Sequence, residues 1–485
     1  MQTRRIRQDE LFTSGPLCDL IPEDHILKQV EQVLDLSWFH DAVRPCYCQD
    51  NGRPSVDPEA ALRLMLAGFF QGITSDRRLM REAQVNVAIR WFAGYTLTDA
   101  LPDASSFTRI RQRWGEALFR EVFERSVKQC MEAGLVNANT VHIDATLIRA
   151  DVSWDSLVTR HTDQVVTENQ PEQRAPSDKD EPPRPRPGRP RTKPPKNKKY
   201  SRTDPEATMS TSCRQYHLEP TFKQHTAVED QSGVIVDVSV TTGEASEGQQ
   251  LPEQLKRIEE TTGATIETVT CDSGYAHAIN YATLEEKNID AIIPPQKPSL
   301  RKKGKQKIPA GRFKYNAKTN IVKCPAGKRL ERKGRKIGTN SYYYRARACD
   351  CKACPLRARC LPRTARARTI SIADGYCALL RARRRKQRGW DETTKDLYSR
   401  HRWHVEGVHG RSKAQHGLHR ASRRGRANVA TQSYLTAATM NLKKLAQALL
   451  YTILDVIRLA GDLISRFGCR IMRQKINPPI VAVEG

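Results

Sequence analysis

No long apolar run occurs in this chain of 485 residues. Its most apolar stretch, residues 445–467, is interrupted by Asp455, Arg458 and Asp462, which predicts an amphipathic helix and not a membrane span. The basic N-terminal residues Met1 to Arg7 lack the apolar stretch of a signal peptide. A cytoplasmic, reduced setting without membrane contact is therefore expected. Aromatic residues make up only 6% of the chain, too few for an extended base-stacking platform. Residues 1–135 carry no zinc-finger or leucine-zipper spacing.

Positive charge is what the chain has in excess. Lys and Arg number 81 against 54 Asp and Glu, a formal charge of +27. Such a balance implies attraction to polyanions, and the scarcity of aromatics favours nucleic acid held through its phosphates. The length allows two to four structural units. Cysteine is unevenly placed, with five of the thirteen between Cys324 and Cys360.

Residues 1–135 read as a helical domain for DNA binding or dimerisation. Asp57 followed by Pro58 is a strong helix start, opening 60–70. Ser75 and Asp76 begin a helix expected to run to Trp91. Residues 107–114 form another and carry Arg109, Arg111 and Arg113. Residues 140–148 change character: β-branched and alternating, they predict a buried strand carrying Asp144. Residues 161–200, rich in Pro, Lys and Arg, are expected to be a disordered basic insertion. Its segment 184–191 is a cationic stretch suited to a minor groove or to a solvated linker.

Order resumes with a hairpin of strands 226–229 and 234–241. A helix follows at 249–262, then a strand at 264–271 ending in Asp272, a helix at 276–287 and a strand at 290–294. This order predicts a mixed α/β sheet of the ribonuclease H-like kind over 136–297, completed by a late helix within 396–450. Between them, 298–395 is expected to be a β-rich insertion with the cysteine cluster and basic runs. Residues 451–485 form a helical extension and tail, following a helix at 429–448.

The late helix carries Tyr398, Arg402, Glu406, His409 and Lys413. At about 100° per residue these share one face of an α-helix. Asp144, Asp272 and Glu406 lie 128 and 134 residues apart in sequence, so only tertiary structure brings them together. Three clustered carboxylates repel one another unless divalent metal compensates them. Hard oxygen donors suit Mg²⁺ or Mn²⁺, and two such ions support phosphodiester chemistry. His142 and His409 are read either as neighbours of these acids or as ordinary packing residues. Cys324, Cys351, Cys354 and Cys360, with Cys349 as an extra candidate, suit structural zinc or a reduced thiol cluster.

These acids stand in His142-Ile-Asp-Ala-Thr146, in Cys271-Asp-Ser-Gly-Tyr275 and in Arg402-x3-Glu406-x6-Lys413. In this the chain resembles bacterial insertion-sequence transposases of the DDE class, in the insertion sequence four/five supergroup. The pattern there is Tyr-x2-Arg-x3-Glu-x6-Lys. Its Tyr falls at Ser399 in this chain, whose tyrosine is Tyr398. Residues 53–58, 102–107, 201–207 and 222–225 resemble the same group, so the likeness spans roughly residues 20–450.

The resemblance implies a ribonuclease H-like catalytic core and an N-terminal helical transposase domain. It implies Asp144, Asp272 and Glu406 as catalytic metal ligands for two Mg²⁺ or Mn²⁺ ions, with Arg402 and Lys413 contacting DNA near the cut. The implied partners are double-stranded DNA, as element ends and as target, and at least a second copy of the chain. The implied location is the nucleoid of a bacterial cytoplasm. The alternatives are a stand-alone nuclease with the same core and a non-catalytic DNA-binding protein derived from a transposase.

Overall fold

A computed structural model describes residues 15–48, 55–161, 197–210, 219–296, 308, 310–336 and 340–476. The basic segment 184–191 lies outside these residues, as does most of the expected disordered insertion. The chain divides into two compact units. The first comprises the residues up to Val136 together with 411–422 and those from 427 onward; the second comprises 137–410 and 423–426.

The first unit is helical. Asp57 caps Pro58–Phe70 by accepting from the Ala60 amide at 2.7 Å, and the helix buries Leu62, Leu64, Met65 and Leu66. The single helix expected over 75–91 is two helices, Asp76–Val85 and Val87–Phe92. Asn86 breaks the run because its side chain caps the second, accepting from the Ile89 amide. Helix Ala104–Glu132 is kinked at Gly115, whose φ of +74° suits glycine alone. Arg111, one of the three arginines counted toward DNA binding, is buried in a bidentate pair with Asp76 at 2.8 and 2.9 Å. It holds helices together; Arg109 and Arg113 remain exposed. The two helices expected after residue 428 are one continuous element, Arg426–Ile476, whose Tyr434 stacks on Phe123.

The second unit is built on a mixed sheet. Its strands are β1 (Thr140–Arg149), β2 (Leu157–His161), β3 (Asn197–Ser201), β4 (Thr208–Ser210), β5 (Glu219–Glu229), β6 (Ile235–Thr242), β7 (Thr268–Cys271) and β8 (Asp290–Ile292). The order is β2-β3-β4-β5-β1-β7-β8, and β6 pairs with β5. β5 is antiparallel to both β1 and β6, whereas β7 is parallel to β1 and β8 to β7. The expected hairpin is present with a longer first strand, and its turn is held by Glu229, which accepts from the Gln231 and Ser232 amides. Helix Glu247–Thr262 joins β6 to β7 and stops at Gly263 in the left-handed conformation. An antiparallel hairpin continued by parallel strands with helical crossovers is a ribonuclease H-like core.

A separate antiparallel sheet interrupts that core. It comprises β9 (Lys314–Asn316), β10 (Ile321–Lys323), β11 (Arg329–Arg335), β12 (Ser341–Ala346) and β13 (Thr369–Ala373). It has its own core of Phe313, Val322, Leu330, Tyr344, Ile370 and Ile372, against which Cys324, Cys351 and Cys360 pack. Helix Tyr376–Arg388 then pairs with the core: Arg381 bonds Glu285 and Arg385 bonds Asp290. Part of the basic run is thus structural.

Candidate active site

β1 and β7 run parallel with Ile143 opposite Cys271, so Asp144, midway along β1, lies beside Asp272, which directly follows the end of β7. Asp144 is largely buried, and Asp272 accepts from the Gly274 amide at 2.7 Å, which fixes its carboxylate. Burial, and after it the charges of Asp272, Glu247 and Glu406, push the Asp144 carboxyl up to about 7. Burial and the charge of Glu247 also raise Asp272, against the opposing Lys223 ammonium. The acids from β1, β7 and the late helix are therefore within electrostatic reach of Asp144. Glu247, from a fourth element, was not singled out from the sequence; as a first-turn acid it carries no distinguishing signal there.

Glu406 closes a π-helical turn, Arg402–Glu406, between helices Glu392–His401 and Gly407–Gln415. The uniform α-helical stripe expected from sequence is therefore interrupted. A π turn inserts one extra residue into the helix. The turn begins at Arg402, so it alters how both Tyr398 and Arg402 are set relative to Glu406 and leaves the extra residue between Tyr398 and Arg402 in place. Burial, and after it the charges of Asp272 and Asp144, raise the Tyr398 phenol above its ordinary range, and its ring stacks on His401. Glu406 is exposed and lies 3.6 Å from the guanidinium of Arg402, itself 74% exposed. Lys413 lies farther along, on Gly407–Gln415.

The two histidines are buried neighbours of the acids. His409 Nδ1 is 3.9 Å from Asp144 Oδ2, and its Nε2 is 3.1 Å from the Thr226 hydroxyl. His142 precedes Asp144 by two residues and Thr270 precedes Asp272 by two, so each pair shares a face of the sheet. Burial lowers His142 to about 4 and His401 to about 3, so both rings are neutral at pH 7. That assigns their hydrogen bonds. His142 Nε2–H donates to Asp230 at 2.8 Å, the Thr270 hydroxyl donates to His142 Nδ1 at 2.6 Å, and His401 Nδ1–H donates to Thr270 at 2.9 Å. Asp230 also binds Arg400. Ligand atoms of His142, Asp230 and His404 lie within 4.8 Å of one another. With both His142 nitrogens engaged and a guanidinium on Asp230, this is a satisfied network and a poor cation site.

A donor set of carboxylates alone suits a hard divalent ion. Two further features fit one. The Tyr275 hydroxyl is fully buried without a hydrogen-bond partner, and the charges of Asp144, Glu247 and Asp272 act on it. At Gly274 a Cβ would stand 2.6 Å from Glu247 Oε2 and 2.9 Å from Asp272 Oδ1, so glycine leaves room between them.

In the cysteine cluster, Cys324 opens a tight turn in which the Gly327 amide donates to its carbonyl at 2.9 Å. Burial raises the Cys360 thiol against the opposing Arg368 guanidinium, and the charges of Cys351, Cys354 and Cys324 add to the rise. Cys349 is exposed.

A family model described as "Transposase DDE domain" matches residues 188–442, just over half of the chain, and one described as "Transposase domain (DUF772)" matches 16–113. The longer match contains Asp272 and Glu406 and begins after β1. Among solved structures, the chain is similar at 9% identity and a TM-score of 0.31 to a piggyBac transposase synaptic complex with hairpin DNA. That alignment covers 96% of this chain and 82% of the other. It is also similar, at 10% identity and a TM-score of 0.16, to a Mos1 transposase paired-end complex, covering 53% and 65%. No curated protein matches. Among the described residues no helix is long and apolar enough to cross a membrane.

Proposed function

This chain belongs to the DDE transposase family and is a DNA transposase; we propose that Asp144, Asp272 and Glu406 are its catalytic carboxylates and hold two Mg²⁺ or Mn²⁺ ions. The observation that carries this reading is the β1–β7 register, which sets the buried Asp144 beside Asp272, where burial and the neighbouring acids push its carboxyl up. Uncompensated, such a group is costly; beside divalent ions it is a ready ligand. The ions would activate a water or a 3′-hydroxyl and stabilise the leaving oxygen of a phosphodiester.

The protein's own side chains do the rest. Asp272, held by the Gly274 amide, and Asp144, packed beside His409, present fixed oxygens. Arg402 is exposed and only weakly tied to Glu406, so it is free to turn to a DNA phosphate near the cut. Lys413 would add a second phosphate contact. The helical N-terminal domain, residues 1–135, would bind the terminal inverted repeats or pair protomers. At least a dimer is required, because two ends are cut and joined together. The excess of basic residues supports DNA as the partner. The reaction would take place on a bacterial nucleoid. Cys324, Cys351, Cys354 and Cys360 would hold one structural zinc in the insertion.

The test is cleavage and strand transfer on duplexes bearing the element ends. Asp144→Asn, Asp272→Asn and Glu406→Gln should each lower cleavage by roughly a thousandfold or more, as for groups acting as a unit, with DNA affinity retained. Full cleavage by any of them would remove that residue from the set. Products in which the 3′ end attacks only water would mark a nuclease.

A further inference from the structure

Glu247 opens the helix that follows β6, where an acid is ordinarily explained by the helix dipole. Its surroundings go beyond that. The backbone is pinned: Asn280 Nδ2 donates to the Gly248 carbonyl at 2.7 Å, and a Cβ on Gly248 would meet the His277 ring at 2.7 Å. Lys223, from β5, donates to the Ala245 carbonyl and pairs with Glu247 Oε1, each at 2.9 Å. That leaves Oε2, which, like Asp272 Oδ1, lies within 3 Å of where a Cβ on Gly274 would stand. Two carboxylates are thus directed together, although solvent lies open to a first-turn side chain.

We propose that Glu247 is a fourth carboxylate of the metal centre, joining Asp272 on its side of the site, with Lys223 as the counter-ion that holds it there. The inference rests on the metal reading given above. An independent observation is the Tyr275 hydroxyl, three residues after Asp272, which is buried and without a hydrogen-bond partner. A ligand bound among these acids supplies the partner it lacks. Glu247 follows the β5–β6 hairpin and so brings a further element of the sheet unit to the centre.

The experiment is Mn²⁺ binding by the full-length, metal-free chain, followed by calorimetry and by Mn²⁺ electron paramagnetic resonance. Wild type is compared with Glu247→Gln, Asp272→Asn and, as a charge control, Glu253→Gln, an exposed position on the same helix. Glu247→Gln should weaken Mn²⁺ binding about 10- to 100-fold and change the resonance spectrum, whereas Glu253→Gln should match wild type. If Asp272→Asn loses binding while Glu247→Gln equals wild type, Glu247 is only a helix-terminal acid and the inference falls. If Asp272→Asn also binds like wild type, the metal reading itself fails and takes this inference with it. Should Glu247→Gln not fold by circular dichroism, Glu247→Asp serves in its place: binding severalfold weaker supports the proposal and wild-type binding overturns it.

Discussion

His409 Nδ1 stands 3.9 Å from Asp144 Oδ2, which puts an imidazole from the late helix against the carboxylate of the first strand. Buried there among other acids, Asp144 holds its proton up to about 7, against 3.8 for the ordinary group. Folding therefore favours the protonated form. The resulting stability is complete below pH 3.8 and is lost as pH rises through 7. In metal-free protein the melting temperature of wild type should fall relative to Asp144→Asn between pH 6.5 and 8, above the range in which the buried histidines titrate. Mn²⁺ should restore it. Scanning fluorimetry across that range checks this; identical wild-type and variant profiles would refute it.

Gly274 has no side chain where a Cβ would meet Glu247 Oε2 and Asp272 Oδ1 within 3 Å. Gly274→Ala should fold, because those oxygens end side chains able to shift, but should bind Mn²⁺ about tenfold or more weakly. Calorimetry on the folded variant decides. Unchanged affinity would show that the close approach has no bearing on the site.

The His142 ring satisfies Asp230 and Thr270 from inside the sheet unit. His142→Phe keeps a planar ring, somewhat larger, and removes both bonds, leaving Asp230 to Arg400 and Thr270 to His401 at a cost of about 1–3 kcal/mol. Urea denaturation should show a lower midpoint, and Mn²⁺ affinity should fall as well, since Asp144 and Asp272 each lie two residues on. A midpoint within experimental error of wild type would discard the network as a support of the acids.

For the cysteines, the expectation is one zinc per chain, retained on gel filtration and released by strong chelators. Elemental analysis and a thiol-reactive dye measure both. Cys351→Ser or Cys354→Ser should abolish the zinc and unfold the antiparallel sheet locally, while Cys349→Ser should do neither. Purified protein that holds no zinc, with four rapidly reactive thiols, would exclude the site.

Much of this was legible locally. The alternating, β-branched run around Asp144, the turn signal before Gly233 and the Gly263 helix stop each depend on near neighbours alone, and all three are present. Helix boundaries were less legible where a side chain acted as an unexpected cap, as Asn86 does, or where no breaker divided 426–476. The π turn at Arg402–Glu406 has no periodic signature, because one inserted residue leaves the composition of the helix unchanged.

What the amino-acid sequence by itself determined was the element order, the positive charge and the positions of Asp144, Asp272 and Glu406 within recognisable motifs. Only the tertiary structure decided which side chains gather around them. Pairing Ile143 with Cys271 sets Asp144 beside Asp272 across more than a hundred residues of chain. The same sheet brings Glu247 and Tyr275 to these acids and ties His142 to Asp230 and Thr270. Sheet register and burial act through space, and neither is written in the spacing of residues along the chain.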